Sequence, residues 1–263
     1  MANLRAWNYW GRIWRLEREK SSPNNQAVKL MEVRALTYRK VYTKAVLSLG
    51  GLKSKSILDI GCGSSEYHKW LANDCKRFVG VDISVEMLKL CRESTGKSIE
   101  LVAADALHLP FKEEPFDASM AFQALHHLPD WKKALTEMMR VAKIVILHEP
   151  NSDSFLHRLM HLIRKTFRVE RRFKQTDEDY ELIEYHASGF SPAGIRDFLD
   201  GQAMDSKLFM VGIIPVSLLV KVFKVSQKLA FLVLILEDLL DKIPVLRNQL
   251  GGILVIGWKT DEF

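Results

Sequence analysis

Residues 56–63, with the sequence SILDIGCG, are an apolar strand pattern that carries one acid and runs directly into a glycine turn. Glycine adopts positive φ angles readily, and its missing Cβ lets a ligand approach the backbone. We predict a helix over residues 66–72, whose first turn would offer N–H groups to an anion. This arrangement favours an α/β fold with a ligand at the turn, although a Gly-x-Gly pair alone also occurs in ordinary turns.

Two further acids follow short apolar runs at regular spacing. Asp82 ends the run 78–82, and Asp105 ends the run 99–105. The intervals from Asp59 to Asp82 and from Asp82 to Asp105 are both 23 residues, which is a strand-helix-strand rhythm. Ligands of open α/β sheets bind at the carboxyl ends of the strands. We therefore expect the three acids to lie along one binding edge.

These motifs resemble those of class I S-adenosylmethionine-dependent methyltransferases, over roughly residues 55–150. The nearest subgroup is the broad one that includes the ubiquinone and menaquinone methyltransferases. The resemblance rests on LDIGCG at 58–63, GVDIS at 80–84, ADALHLPF at 104–111, and FDA at 116–118 together with QALHHL at 123–128.

The resemblance implies a Rossmann-like, seven-stranded, mostly parallel sheet with an antiparallel last strand. We predict a helical leader over 1–50, a cofactor-binding core over 51–150, and substrate-side helices with the last strands of the same domain over 151–263. Beyond the runs given above, the apolar patterns predict strands over 115–122, 144–150, 207–214 and 251–258, and helices over 26–49, 85–91, 131–142, 155–167, 191–199 and 216–240.

The resemblance also implies roles for the first two motifs in binding S-adenosylmethionine. The loop of Gly61, Cys62 and Gly63 would pass under the methionine part of the cofactor, and Asp59 would orient that loop. Asp82 would accept hydrogen bonds from both ribose hydroxyls, a charge-assisted arrangement that is strong.

The later motifs would hold the adenine and the sulfonium. Ile83 would lie against the adenine face. Asp105 would accept from the exocyclic amine and the Ala106 N–H would donate to a ring nitrogen, with Ala104 beside them. Phe122 would lie close to the sulfonium.

Each of these roles has a structural alternative. Asp82 could cap the helix that follows, although Ser84 is better placed for that. Asp105 could be a turn acid before Pro110, and Ile83 could belong to the core.

Two departures from the resembled family concern loop shape. Ser65 stands where the family usually has glycine, and serine does not easily take positive φ. The fifth strand is predicted to follow Arg140-Val141-Ala142-Lys143 at once, without the usual Pro-Gly-Gly turn.

The main alternative class, a nicotinamide dehydrogenase, would need a third glycine where this chain has Glu66.

Methyl transfer depends mainly on alignment of the reacting groups, and a base is needed only when the acceptor is protonated. His127, just after the fourth strand, is the candidate catalytic residue. Its alternative is a structural hydrogen bond at a helix start. We expect the neighbouring His126 to point elsewhere, and Glu149 to lie at the rim of the site.

The cysteines and the apolar runs indicate the cellular compartment of the protein. Cys62, Cys75 and Cys91 suggest no disulfide framework, which is typical of a reducing compartment. His157 and His161 share a helical face without further ligands at metal-binding spacing, so no metal is expected. No run is long enough to span a bilayer and no signal peptide is evident. We expect a cytoplasmic protein that contacts membranes at the surface.

The net charge of +6 is unevenly distributed, with +7 in residues 1–50 and +5 in residues 153–174. Together with the apolar segment 216–240, this favours a small hydrophobic or lipid-like acceptor and peripheral membrane contact. The alternatives are an RNA or protein methyltransferase that uses the basic segments, and a non-catalytic S-adenosylmethionine-binding protein. The sequence predicts no oligomeric state.

Overall fold

The computed structural model describes residues 41–47, 50–64, 75–96, 99–155, 158, 189–211, 243 and 251–260. The predicted helices over 66–72 and 216–240 lie outside these residues, as do Ser65, Glu66 and most of the predicted helices over 26–49 and 155–167. Residues 41–47 are helical, as predicted for that part of the leader.

Seven strands form one sheet in the order β3-β2-β1-β4-β5-β7-β6. The first five are parallel, and β7 runs antiparallel to both β5 and β6. The predicted mostly parallel sheet with an antiparallel last strand is therefore confirmed. The strands are β1 (Ser56–Ile60), β2 (Arg77–Asp82), β3 (Glu100–Ala103), β4 (Phe116–Phe122), β5 (Ala142–Pro150), β6 (Met204–Val211) and β7 (Gly252–Lys259).

Helices begin where the sequence supplies caps. Ser84 accepts a hydrogen bond from the Met87 N–H at 3.2 Å, and Ser191 accepts one from the Gly194 N–H at 2.9 Å. Such side-chain acceptors satisfy N–H groups that the first helical turn leaves open. Besides the helical residues 41–47, the described part of the chain contains α1 (Val85–Thr95), α2 (Trp131–Val141), α3 (Pro192–Asp200) and a 3₁₀ turn, here called the histidine turn (Leu125–His127).

The connection between α2 and β5 has no intervening residue. The helix ends at Val141 and the strand begins at Ala142. The predicted short connection, without a Pro-Gly-Gly turn, is confirmed.

Strand β6 begins at Met204, three residues before the predicted start at Lys207. It is an edge strand, and its backbone pairs with β7 from Met204 onward. Asp205 can therefore be part of the ladder while its side chain is exposed to solvent. An apolar-run criterion misses the polar start of such a strand.

Both faces of the sheet are buried, as expected for a mainly parallel sheet. On one face, α2 contributes Ala134, Leu135 and Met138, all fully buried. On the other face, helix 41–47 packs Val41 and Tyr42 into a second apolar cluster. None of the helices in the described part of the chain has the length and apolar character needed to span a bilayer.

Candidate active site

The carboxylate of Asp82 joins two turns at the carboxyl edge of the sheet. Its Oδ2 accepts a hydrogen bond from the Gly63 N–H at 2.9 Å, and its Oδ1 accepts one from the Ser84 N–H at 2.8 Å. Each carboxylate oxygen has a second lone pair, so further donors can still bind. Asp82 thus holds the glycine turn after β1 against the start of α1 and keeps accepting capacity for a ligand.

The pKa of Asp82 is raised to about 6, chiefly because the carboxylate is removed from solvent. The hydrogen bonds from Ser84 and Gly63 oppose this rise, and the nearby carboxylate of Asp59 adds to it. A poorly solvated carboxylate gains more from a new hydrogen-bond donor than an exposed one does. Asp82 is therefore suited to receiving ligand hydroxyls.

The glycine turn lies close to the loop after β4. Gly61 has φ +68°, and a Cβ at this position would lie 2.5 Å from the Cβ of Ala124. Gly63 has φ +56° and open space around it. Residue 61 therefore needs glycine for both its conformation and its close contact, whereas residue 63 needs it for conformation alone.

The other two members of the first motif face inward. Asp59 is fully buried on β1, in register with Gly80 on one side and Met120 on the other. Cys62 is also buried, and its thiol pKa is raised by a hydrogen bond with Cys91 and by burial. Cys62 can therefore offer its backbone, but not a thiolate, to a ligand.

The third acid lies in a turn just beyond β3, since pairing of β3 with β2 ends at Ala103. Asp105 Oδ1 accepts from the Leu107 N–H at 2.9 Å, so the acid does stabilise its own turn. The Ala104 N–H donates to the Asp82 carbonyl at 3.2 Å, which brings this turn beside the second motif. Asp105, Ala106 and Ile83 are all partly exposed and accessible to a ligand.

Side chains of α2 hold the loop that follows Asp105; we call this contact the α2 clamp. Glu137 accepts from the Leu109 N–H at 2.8 Å. Arg140 donates to the Leu109 carbonyl at 3.1 Å and to the Phe111 carbonyl at 2.8 Å. The Arg140–Glu137 ion pair, 2.7 Å from Nε to Oε1, lowers the pKa of Glu137. The loop is thus fixed to the helix that follows β4.

Phe122 ends β4 in an aromatic group at the same edge. Its ring centroid lies 4.5 Å from that of Tyr42 and 5.6 Å from that of His148. The Tyr42 hydroxyl donates to Met120 Sδ at 3.4 Å. No sequence motif marks Tyr42, which stands in an ordinary helical apolar pattern.

Glu149 and His126 form a buried polar pair after β4 and β5. Glu149 Oε1 accepts from the Ala124 N–H at 3.1 Å and from the Leu125 N–H at 2.8 Å, while Oε2 lies 2.6 Å from His126 Nδ1. Glu149 is fully buried, so its predicted place at the rim is wrong. The reason is that it satisfies the N–H groups opening the histidine turn.

The two histidines of that turn lie together. The ring centroids of His126 and His127 are 3.9 Å apart. The ring of His126 contacts both His127 and Glu149. The assignment of His127 as the catalytic residue stays a prediction.

Residues 58–144 match a family model described as a methyltransferase domain. Together with the strand order and with the acids and glycines at the carboxyl edge of the sheet, this match defines a class I S-adenosylmethionine-dependent methyltransferase fold. Residues 58–144 therefore carry a methyltransferase domain of this class.

Two curated relatives and one solved structure indicate the range of similar proteins. The chain is 40% identical over 106 residues to a tRNA (carboxymethyluridine(34)-5-O)-methyltransferase from Arabidopsis thaliana, covering 39% of this chain and 25% of that protein. It is 26% identical over 203 residues to demethylmenaquinone methyltransferase from Staphylococcus aureus, covering 66% of this chain and 84% of that one. The chain thus spans about a quarter of the length of the Arabidopsis protein.

The solved structure is magnesium protoporphyrin IX methyltransferase from Synechocystis PCC 6803 with bound S-adenosylhomocysteine. It aligns with a TM-score of 0.64 and 14% identity, over 98% of this chain and 99% of that one. At this identity the likeness shows the shared fold.

The residues at the edge fit the cofactor of this class. Gly63 has open space around it, and Asp82 has lone pairs for a ribose diol. Among the described residues, no group of three or more His, Cys, Asp or Glu side chains could hold a metal ion.

Proposed function

We propose that this protein transfers the methyl group of S-adenosylmethionine to a small, hydrophobic or lipid-like acceptor. The single observation that carries the proposal is the Asp82 carboxylate, which joins the Gly63 and Ser84 N–H groups at 2.9 and 2.8 Å. A partly satisfied carboxylate between a glycine turn and a helix start suits a ribose diol next to a flexible chain.

Residues at the carboxyl edge of the sheet would each contact a different part of the cofactor. Asp82 would accept both ribose hydroxyls, and the backbone at Gly61, Cys62 and Gly63 would lie along the methionine part. Asp59, buried behind the turn, would orient it. When bound, S-adenosylmethionine supplies an electrophilic methyl group on a sulfonium.

The adenine would lie between partly exposed groups beyond β2 and β3. Ile83 would contact its face, and the turn containing Ala104, Asp105 and Ala106 would receive its polar edge. Asp105 Oδ1 accepts from the Leu107 N–H, whereas Oδ2 lies 3.9 Å from His108 Nδ1 and stays exposed enough to accept from the exocyclic amine. Phe122, packed against Tyr42, would close the site near the sulfonium.

Two observations support a small apolar acceptor. The similarity to demethylmenaquinone methyltransferase extends over 84% of that protein, well beyond the cofactor motifs. The end of β4 next to the histidine turn packs three buried rings, Phe122, Tyr42 and His148, so the surroundings of the proposed transfer site are largely apolar.

The deciding experiment is transfer of tritiated methyl groups from S-adenosylmethionine to fractionated cell extract. Lipid, RNA, protein and small-molecule fractions are counted separately, with Asp82→Ala as the inactive control. Label in the lipid or the apolar small-molecule fraction is expected. Label in the RNA or protein fraction alone would contradict the proposed acceptor while leaving the methyltransferase class intact.

An RNA acceptor is the second candidate. It is favoured by the 40% identity over 106 residues to the tRNA methyltransferase and by the basic charge of residues 1–50. Phosphate contacts of basic segments are sensitive to salt. Methyl transfer to purified tRNA that weakens steeply with salt would support this candidate.

Peripheral membrane contact is the last part of the proposal, and it rests on the sequence of residues 155–173. Replacing Arg164, Arg168, Arg171 and Arg172 by Gln should reduce co-sedimentation with anionic vesicles while S-adenosylhomocysteine affinity is unchanged. Wild-type binding to anionic vesicles should also decline with salt. Failure of the wild type to bind either anionic or neutral vesicles would refute membrane contact.

A further inference from the structure

We propose that His126, held by Glu149, is the general base of this site, and that the acceptor is consequently a hydroxyl group that loses a proton during transfer. This inference rests on the proposed methyltransferase function and deepens it. Glu149 is a positioning residue, since it acts through His126.

The orientation of His126 follows from the three hydrogen bonds of Glu149. Its Oε1 is occupied by the N–H groups of Ala124 and Leu125, at 3.1 and 2.8 Å. Its Oε2 faces His126 Nδ1 at 2.6 Å, a length typical of a strong, charge-assisted contact. The carboxylate is fully buried. It is therefore fixed by the backbone and cannot rotate away from the imidazole.

This contact sets the tautomer of the ring. A carboxylate can only accept, so Nδ1 must carry the hydrogen, and the neutral ring then has its lone pair on Nε2. Within the described residues, no hydrogen bond reaches Nε2 of His126. The Nε2 atom is thus the proton acceptor that the ring offers to a ligand.

The remaining ionisable groups around His126 do not compete for this role. His148, on β5, has its pKa lowered to about 4 by burial and by the nearby His126, so it is neutral at neutral pH. His127 stacks on His126 within the same turn. Among the described residues, the carboxylate that contacts the ring of His126 is that of Glu149.

The histidine turn is also placed where transfer would occur. Ala124, whose N–H is bound by Glu149, touches Gly61 in the turn proposed to hold the methionine part of the cofactor. Phe122 lies two residues earlier, at the end of β4. His126 therefore lies in a turn that adjoins the sulfonium end of the proposed site.

The step balances without any further reactant. The acceptor oxygen gives its proton to His126 Nε2 and uses its lone pair to form the new bond to the methyl carbon. The carbon–sulfur bond breaks, and its electron pair stays on sulfur, which becomes a neutral thioether. His126 then returns its proton to water.

The first test reads the tautomer and needs no substrate. Protein labelled with ¹⁵N-histidine is examined by two-bond ¹H–¹⁵N NMR, with His126→Asn used to assign the resonances. We expect wild-type His126 to carry hydrogen on Nδ1. Glu149→Gln keeps an oxygen for the Ala124 and Leu125 N–H groups but presents an amide N–H to Nδ1, so His126 should switch to the Nε2–H form. A wild-type ring with hydrogen on Nε2, or no change in Glu149→Gln, would overturn the inference.

The second test measures methyl transfer from tritiated S-adenosylmethionine to two phenolic acceptors, catechol and 1,4-dihydroxynaphthalene. Glu149→Gln and His126→Asn should each lower kcat by about 10²-fold, the usual contribution of a positioned base. The fall of kcat at low pH should disappear in His126→Asn. Unchanged kcat in His126→Asn, or a retained acid limb, would contradict a base at His126, and loss of activity in His127→Asn alone would assign the base to His127.

A measurement of cofactor binding tests the proposed function separately from the role of His126. Calorimetry with S-adenosylhomocysteine should give the same affinity for the wild type, Glu149→Gln and a matched control, Glu100→Gln. Glu100 lies at the amino end of β3, where it pairs with Arg77 at the opposite edge of the sheet. Absence of binding in the wild type would refute the proposed function. The NMR test of the His126 tautomer does not depend on cofactor binding.

Discussion

The Cβ of Ala124 lies 2.5 Å from the position that a Cβ on Gly61 would occupy. The turn after β1 and the loop after β4 are therefore in contact, although 63 residues separate Gly61 from Ala124 in the sequence. Even one methyl group at residue 61 would push the two loops apart. This contact joins the proposed cofactor turn to the histidine turn.

Gly61→Ala should therefore lower the free energy of unfolding much more than Gly63→Ala does. Both substitutions force alanine into positive φ, at roughly 1–2 kcal/mol each. At residue 61 the clash with Ala124 adds overpacking strain of about 1–3 kcal/mol. Urea unfolding monitored by circular dichroism measures both variants. Equal losses of stability would contradict the close contact.

Asp82→Ala should weaken S-adenosylhomocysteine binding by a few kcal/mol, on the order of 10²-fold in Kd, because two ribose hydroxyls lose a charged acceptor. Isothermal titration calorimetry is the measurement, with Glu100→Gln as the surface control. An unchanged Kd in a folded Asp82→Ala protein would remove Asp82 from the site.

Cofactor affinity should fall as the pH drops below about 6. The pKa of Asp82 in the folded protein is raised to about 6, so acid converts the carboxylate into a weaker acceptor. Between pH 7 and pH 5 we expect Kd for S-adenosylhomocysteine to rise by about tenfold, since each pKa unit corresponds to a tenfold change in protonation. Asp82→Asn should show a flat profile over this range. A flat wild-type profile would contradict the raised pKa.

The pH dependence of stability should reveal two opposing groups. A raised folded pKa gives Asp82 a stabilising contribution that is complete below about pH 4 and is lost as the pH rises through about 6. His148, with its folded pKa lowered to about 4, contributes stability above pH 6.5 that is lost as the pH falls toward 4. In the wild type the two effects offset each other across this window.

Asp82→Asn removes one of these effects and leaves the other. Its free energy of unfolding should fall by about 2 kcal/mol more than that of the wild type between pH 6.5 and pH 4. Chemical denaturation at a series of pH values, without cofactor, measures this difference. Parallel curves for the two proteins would show that Asp82 titrates normally.

The sequence predicts the sheet well because its determinants are local. Strand ends coincide with Asp59-Ile60 and Asp82, where apolar runs meet glycine or a helix cap, and Ser84 caps α1 as expected. The polar start of β6 was missed, since an edge strand can expose Asp205 while its backbone remains paired. Local patterns thus define buried strands better than edge strands.

The site was less predictable, because its contacts join distant segments. The pairing of His126 with Glu149 depends on β4 and β5 ending side by side, and the two residues are 23 apart in the sequence. Two adjacent histidines look equivalent in a sequence, but the buried carboxylate distinguishes His126. The contact of Tyr42 with Phe122 spans 80 positions and has no sequence motif.

The α2 clamp has a consequence for how the two ligands influence each other. Glu137 and Arg140 hold the loop leading from Asp105, while the same helix begins just after the histidine turn. One short helix thus contacts the adenine side of the proposed site and begins next to its acceptor side. If the two ligands influence each other through α2, thermodynamic reciprocity requires each to alter the affinity of the other by the same factor.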